Sequence, residues 1–238
     1  MKNIVYLPCL ILFTVLFGFS AANTSNALAD QEPSSPLEIA EKLSDRLGQL
    51  SSLSFAFTQR TMGQISGRTK QASGHAYFAK DEGKTRMRWN YQVPDLQVII
   101  SDGNELIMYF ENLSQMIIAP ADTLQQDVTY SFFTGAKEIE ENFIVSDGGS
   151  IEENADTLPL YDVIRLEPRS LDSQVRDIRL WVKESKHIQR IEITDNFETK
   201  TIINISNIKE NSLTSEGKLI NRELFRFSPP AGTEIIRQ

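Results

Sequence analysis

The chain has 238 residues, 40% of them apolar, which is enough to bury one large core or two small ones. Its 32 acidic residues outnumber the 24 basic ones and give a net charge of −8, which argues against nucleic acid and against an anionic membrane surface as partners. Because the chain contains a single cysteine, Cys9, an internal disulfide framework is excluded.

Residues 1–29 have the pattern of a secretory signal peptide. Lys2 gives a positive start, an almost unbroken apolar run covers residues 9–19, and Ala27-Leu28-Ala29 supplies the small residues of a cleavage site. The apolar run is shorter than the about 20 residues of a membrane-spanning helix. Cleavage after Ala29, or at a weaker alternative site after Ala22, therefore predicts a secreted protein.

The position of Cys9 argues against a lipid anchor. A lipoprotein signal has its cysteine after the apolar run, whereas Cys9 lies before most of that run and follows Pro8. Cleavage removes both Cys9 and Lys2 and leaves 23 basic residues against 32 acidic ones, a net charge of −9. We expect residues 30–238 to form a single, soluble and monomeric domain that depends on its core for stability.

The first predicted element is an amphipathic helix over residues 37–50. Apolar residues recur three or four positions apart, charged residues fill the other faces, and Ser34 or Ser35 beside Pro36 gives a plausible start. Such a helix needs an apolar surface to lie on. Its apolar positions are Ile39, Leu43, Leu47 and Leu50.

Strand patterns follow and continue almost to the end of the chain. In the clearest of them, Met87, Trp89 and Tyr91 alternate with polar residues, and Asp102-Gly103 predicts a tight hairpin turn further on. About eleven antiparallel strands predict a strongly curved sheet or barrel with a few packed helices. The predicted strands cover residues 54–59, 74–78, 86–91, 96–100, 105–110, 116–119, 143–145, 162–167, 175–183, 187–195 and 199–207. Residues 62–73 are interpreted as a long hairpin connection or a ragged strand pair, and residues 124–134 as a short helix.

The sequence shows no motif that is typical of a catalytic site. His75 and His187 each stand alone on a predicted strand, and the sequence has no glycine-rich phosphate loop. We therefore expect no enzymatic activity, no metal site and no cofactor. The carboxylates are spread over turns and outer strand faces, which is typical of a solvated surface.

Large apolar side chains are the more informative feature. On a half-open barrel they either fill a packed core or line a cavity, and the pattern alone does not separate the two. The predicted inner-face set is Phe55, Phe57, Tyr77, Met87, Trp89, Ile100, Met108, Phe132, Phe133, Phe143, Ile178, Leu180, Ile191 and Ile193.

An ordered set of short motifs resembles the LolA family of periplasmic lipoprotein carriers. The motifs are Phe57-Thr58-Gln59, Gly74 before a strand, Arg88-Trp89-Asn90-Tyr91 with Pro94-Asp95, Ser101-Asp102-Gly103 and the sequence FRFSPPAG over residues 225–232. The resemblance implies a half-open barrel closed by a lid of short helices, with an apolar cavity for acyl chains. It also implies loading by the inner-membrane transporter LolCDE and delivery to an outer-membrane acceptor such as LolB. LolB itself is a lipoprotein, and the placement of Cys9 argues against that assignment.

One segment departs from the family pattern. The family commonly has an Arg-Pro pair after the second strand, where the arginine tethers the lid, whereas residues 80–84 here read KDEGK. Lys80 is the nearest candidate for the tether, and Arg86 or Arg88 could replace it.

The sequence thus predicts a carrier that binds the acyl chains of lipoproteins in the periplasm of a Gram-negative cell and moves them from the inner to the outer membrane. A lipid-sensing or regulatory binding protein of the same fold is the main alternative. A lipid-processing enzyme is a third.

Overall fold

The computed structural model describes residues 34–63, 67–122, 133, 139–149, 161–171, 173–183, 187–216 and 218–238. The predicted signal peptide lies outside these residues. So does the helix predicted over residues 124–134, apart from Phe133.

Two α-helices and fourteen strands lie within the described residues. The helices are α1, Pro36–Gln49, and α2, Ile139–Asn142. The first seven strands are β1 Ser52–Met62, β2 Thr69–Asp81, β3 Lys84–Val93, β4 Gln97–Ser101, β5 Glu105–Phe110, β6 Gln115–Pro120 and β7 Phe143–Asp147. The others are β8 Tyr161–Pro168, β9 Val175–Lys183, β10 His187–Asp195, β11 Lys200–Glu210, β12 Thr214–Ser215, β13 Lys218–Leu219 and β14 Glu234–Arg237.

Twelve of these strands form one open sheet in the order β14-β6-β5-β4-β3-β2-β1-β11-β10-β9-β8-β7. Two antiparallel meanders, β1 to β6 and β7 to β11, are joined where β1 pairs with β11. In this sheet the pair β14–β6 is parallel, and β12 and β13 form a separate two-stranded sheet. The predicted fold class, mainly β with an open antiparallel sheet and few helices, is confirmed.

The helix α1 forms where the sequence predicts it. Ser35 accepts a hydrogen bond from the backbone N–H of Glu38, whose carboxylate accepts one from the Ser35 N–H, and Pro36 occupies the first turn. Four apolar side chains on one face are buried, and the helix packs against α2, β7 and β8. The buried residues are Ile39, Ala40, Leu43 and Leu47.

The sheet has two faces with separate apolar clusters. We call the face covered by α1 the inner face, and it carries the main core, with residues from β1 to β3 and β7 to β11. The opposite, outer face carries a smaller cluster on β4 to β6, against which Phe227 packs. The smaller cluster consists of Val98, Ile100, Tyr109, Met116 and Ile118.

Of the two interpretations of residues 62–73, a long hairpin connection or a ragged strand pair, the structure supports the strand pair over residues 69–73. Strand β1 runs on to Met62 and β2 begins at Thr69, so the two strands form one long hairpin. The polar composition of this part hides it, because the side chains lie beyond the core and show no apolar alternation. A register shift at Gly74 brings this residue so close to β3 that a Cβ would lie 1.8 Å from the Asn90 carbonyl oxygen. Glycine is therefore required at this position.

Candidate functional site

A cluster of aromatic rings from β1, β2, β3 and Phe133 lies in the core of the inner face. The ring centroid of Trp89 lies 4.8 Å from Phe57 and 5.7 Å from Phe55, and Phe133 lies 4.9 Å from Phe55 and 5.1 Å from Phe78. The side chain of Trp89 is only 6% exposed. In this form the inner face is therefore a packed core at its centre, where ring contacts add to the burial of apolar area.

Most of the predicted inner-face residues lie in this core. Met108 and Ile193 pack at its edge, while Phe132 lies outside the described residues. The buried members of the predicted set are Phe55, Phe57, Met87, Trp89, Phe133, Phe143, Ile178, Leu180 and Ile191. That they line a site for acyl chains remains a prediction.

The predicted placement of Tyr77 and Ile100 is wrong. Tyr77 pairs with Arg88, and Arg88 pairs with Ile100, so the three residues share the outer face. Because side chains alternate along a strand, their neighbours Phe78 and Ile99 face the inner side instead. The register of the strand pairs decides this, because Phe78 pairs with Met87 and Ile99 pairs with Trp89.

At the opposite end of β2 from Lys80, the inner face opens into a pocket of about 790 Å³. Tyr91 stands at the border, with its ring 5.1 Å from that of Phe57 and its hydroxyl donating to Gln59 Oε1 at 3.1 Å. We call this the polar pocket. It is lined by Gln59, Thr61, Lys70, Gln71, Ala72, Tyr91, Val93, Pro94, Asp95, Leu96, Gln97, Phe110 and Asn112.

Polar contacts hold α1 to the rest of the protein at three places. Lys80 Nζ donates to the carbonyl oxygen of Gly48, near the C-terminal end of the helix. Arg46 forms an ion pair with Glu210 at the end of β11, and His187 Nε2 lies 3.1 Å from Oε1 of the same carboxylate. Ser44 accepts a hydrogen bond from the Ile139 N–H at 3.1 Å, which ties α1 to α2. The ion pair of Glu210 cannot be predicted from the residues around it, because its partner Arg46 lies 164 residues away in the chain.

Arg86 and Arg88 are not tethers of the helix. Arg88 is on the outer face, where Nη1 donates to the carbonyl oxygens of Leu224 at 2.8 Å and Arg226 at 3.3 Å. Burial lowers the pKa of Arg88, and its interaction with Tyr77 opposes that shift. Arg86 Nε donates to Asp81 Oδ2 at 3.1 Å. Of the three tether candidates, Lys80 is the one whose side chain reaches α1 in the part of the chain that the structure describes.

The buried carboxylate of Asp81 connects the C-terminal segment to the β2–β3 turn. Its side chain is fully buried, Arg86 binds one oxygen, and Arg222 Nη2 lies 3.7 Å from the other. A hydrogen bond to Glu82 and the nearby charge of Asp81 raise the pKa of Arg222. The arginines that sequence reasoning assigned to the lid thus attach the C-terminal segment to the outer face.

Within the described residues there is no cluster of three or more histidine and acidic side chains that could hold a metal. The helices in the same residues are too short or too polar to cross a membrane.

The comparisons by sequence point to one family. The family described as "Outer membrane lipoprotein carrier protein LolA" matches residues 48–227. An outer-membrane lipoprotein carrier protein of Methylococcus capsulatus is 28% identical over 194 residues, covering 82% of this chain and 85% of the relative. The protein of the same name from Chromohalobacter salexigens is 26% identical and covers 84% and 87% of the two chains. A solved LolA superfamily protein of Nitrosomonas europaea aligns with a TM-score of 0.43 at 15% identity, over 82% of this chain and 99% of that one.

Proposed function

The chain belongs to the LolA family of outer membrane lipoprotein carriers, and we propose that it binds the acyl chains of lipoproteins and carries them through the periplasm from the inner to the outer membrane. The observation that carries the proposal is the inner face itself. It is a continuous apolar surface covered by an amphipathic helix that a few polar contacts hold in place.

The packed centre of the inner face fits a carrier that must also release its cargo. Three acyl chains of about fifteen methylenes each, at about 0.8 kcal/mol per buried CH₂, would gain about 36 kcal/mol on full burial. Non-covalent affinities saturate near 18–21 kcal/mol, so a preformed cavity that took all three chains would not unload. Here the cargo has to displace side chains such as Phe133 and Trp89, which offsets part of that gain.

The helix α1 is the element that would move on loading. Its buried side chains belong to the same apolar core as the aromatic cluster, and its attachments near the C-terminal end are the hydrogen bond from Lys80 and the ion pair between Arg46 and Glu210. In this proposal α1 is the lid and Lys80 replaces the arginine that tethers the lid elsewhere in the family. No step requires covalent chemistry, which agrees with the non-enzymatic role of carriers.

We place the mature protein, residues 30–238, in the periplasm as one soluble, monomeric domain. The transporter LolCDE would load it, and an outer-membrane acceptor such as LolB would receive the cargo. Mass spectrometry of the secreted protein is expected to find an unmodified N-terminus at Asp30. An acylated N-terminus would contradict this part of the proposal.

Depletion of the protein in its own organism tests the carrier function. Lipoproteins of the outer membrane are expected to accumulate in the inner membrane after depletion, as measured by membrane fractionation and immunoblotting. Normal sorting together with an altered envelope-stress response would instead support a lipid-sensing protein. Expression of the wild-type chain provides the matched control.

A further inference from the structure

The polar pocket continues the inner face rather than forming a separate cleft. On β1, the buried Phe55 and Phe57 are followed on the same face by Gln59 and Thr61, which line the pocket. Because residues two apart share a face of a strand, a molecule lying along β1 would pass from an apolar to a hydrogen-bonding environment within a few residues.

The neighbouring strands show the same change. On β3, Trp89 is followed by Tyr91, whose hydroxyl donates to Gln59. On β4, which runs antiparallel to β3, Gln97 lies two residues before the inner-face residue Ile99, on the side toward the pocket. It pairs in register with Tyr91 and Phe110, which also line the pocket. The ordered change along three strands matches an amphiphile that lies with its apolar part under α1 and its polar part in the pocket.

The pocket favours a neutral polar group. Lys70 and Asp95 are the charged residues in its lining, and their formal charges cancel. The other polar side chains are amides, one threonine and one tyrosine, which donate to ester and amide carbonyls and accept from peptide N–H groups. A phosphate would have to leave water without a cluster of basic side chains to receive it, which is unfavourable. The volume of about 790 Å³ is in the range of ligand sites, about 300–1,000 Å³.

We propose that the polar pocket binds the neutral head of the cargo, which comprises the glycerol esters, the N-terminal amide and the first peptide groups of an acylated cysteine. The inference rests on the proposed carrier function and adds a way for the protein to select lipoproteins over phospholipids. Lipoproteins and phospholipids offer similar acyl chains to the inner face, and the pocket distinguishes them by the charge of the head group.

Substitution of Gln59→Leu and Gln97→Leu tests the role of the amides. Binding of two probes to the full mature chain is measured by displacement of a fluorescent apolar dye: a synthetic tripalmitoylated cysteinyl peptide with a neutral peptide part, and palmitate. Each variant is expected to bind the lipopeptide about fivefold more weakly, as for one lost neutral hydrogen bond, with palmitate binding unchanged. The matched control is Gln189→Leu, a half-buried glutamine on β10 outside the pocket.

Binding of the two probes to the wild-type protein distinguishes failure of the proposed carrier function from failure of the proposed head-group site. If the wild type binds neither probe, the carrier function fails. If it binds both, and Gln59→Leu and Gln97→Leu weaken lipopeptide and palmitate equally or weaken neither, the carrier function stands and the head-group site is wrong. Thermal melts of each variant identify any loss that results from unfolding.

A gain-of-function variant gives an independent measurement. Gln97→Lys places a second cation in the pocket and is expected to strengthen binding of palmitoyl lysophosphatidylglycerol several-fold while weakening binding of the neutral lipopeptide. The wild-type chain is expected to prefer the lipopeptide. Preference of the wild type for the phospholipid, or no change in selectivity with Gln97→Lys, would overturn the proposal.

Discussion

Lys80 and Gly48, 32 residues apart in the chain, are joined by a hydrogen bond from Lys80 Nζ to the carbonyl oxygen of Gly48. The contact places a cation at the C-terminal end of α1, where unpaired carbonyl groups carry partial negative charge. It links the helix that covers the inner face to the strand that carries Phe78, a member of the aromatic cluster. Removal of one side chain can therefore loosen the helix without disturbing the core.

Lys80→Met is expected to increase the apparent affinity for an apolar dye about fivefold. The variant loses a charge-assisted hydrogen bond between α1 and β2. Because the Lys80 side chain is half-exposed, we expect this loss to lower the free energy that holds α1 in place by about 1 kcal/mol. Dye titration measures the change. The control Lys84→Met removes a lysine that bonds to Asn104 in the adjoining turn. Equal affinities in the wild type and Lys80→Met would exclude Lys80 as a tether.

Trp89→Ala is expected to lower the free energy of unfolding of the unloaded protein by about 3–5 kcal/mol, because the ring is packed among four phenylalanines. Trp181→Ala is the matched control. Trp181 is half-buried on the outer face, and the Arg190 guanidinium lies 4.9 Å from its ring centroid. Its replacement by alanine should lower the free energy of unfolding by about 1 kcal/mol. Urea denaturation measures both. A loss at Trp89 no greater than that at Trp181 would show that the inner face is not packed in the unloaded form.

Arg88→Met is expected to release the C-terminal segment and leave the lid unaffected. The carbonyl groups of Leu224 and Arg226 lose their donor, so hydrogen exchange should accelerate over residues 224–237. Dye affinity should not change, because Arg88 lies on the outer face. Faster exchange confined to α1 would instead assign Arg88 to the lid.

Asp102 is expected to make stability depend on pH at acid values. Burial by itself raises its pKa, but hydrogen bonds from the backbone N–H groups of Glu105 and Asn104 outweigh this and lower the pKa. A carboxyl with a lowered folded-state pKa stabilises the protein above its unfolded pKa of about 3.9, and the effect is lost as the pH falls through the folded value. The stability of the wild type relative to Asp102→Asn should therefore be greater at pH 7 than in acid and should decrease as the pH falls. A difference independent of pH would contradict this.

Sequence periodicity predicts the fold well where one side of an element is buried. The apolar positions and the Ser35–Glu38 capping box specify α1, and the alternation around Trp89 specifies β3. The faces of Tyr77 and Ile100 depend on the registers of the β2–β3 and β3–β4 pairs, which periodicity along one strand does not give. The extent of the strands in the long β1–β2 hairpin stays ambiguous from sequence because its outer part carries polar residues on both faces.

The site is harder to predict because it depends on contacts between distant parts of the chain. The Arg46–Glu210 ion pair joins the first helix to the last long strand. The polar pocket brings together Gln59 and Gln97, neither of which differs locally from an ordinary surface glutamine. They line the same end of the inner face because of the order and register of β1 to β4, which the sequence pattern does not give.

Immobilising α1 tests the central claim most directly. In a protein expressed from Asp30 onward, and so without Cys9, the ion-paired residues are replaced by Arg46→Cys and Glu210→Cys and joined by a short bismaleimide, with each single variant treated in the same way as a control. Binding of a tripalmitoylated lipopeptide is then measured with the linkage confirmed by mass spectrometry. We predict that the linked protein does not bind the lipopeptide while both single variants do; equal binding by the linked and unlinked proteins would contradict loading beneath α1.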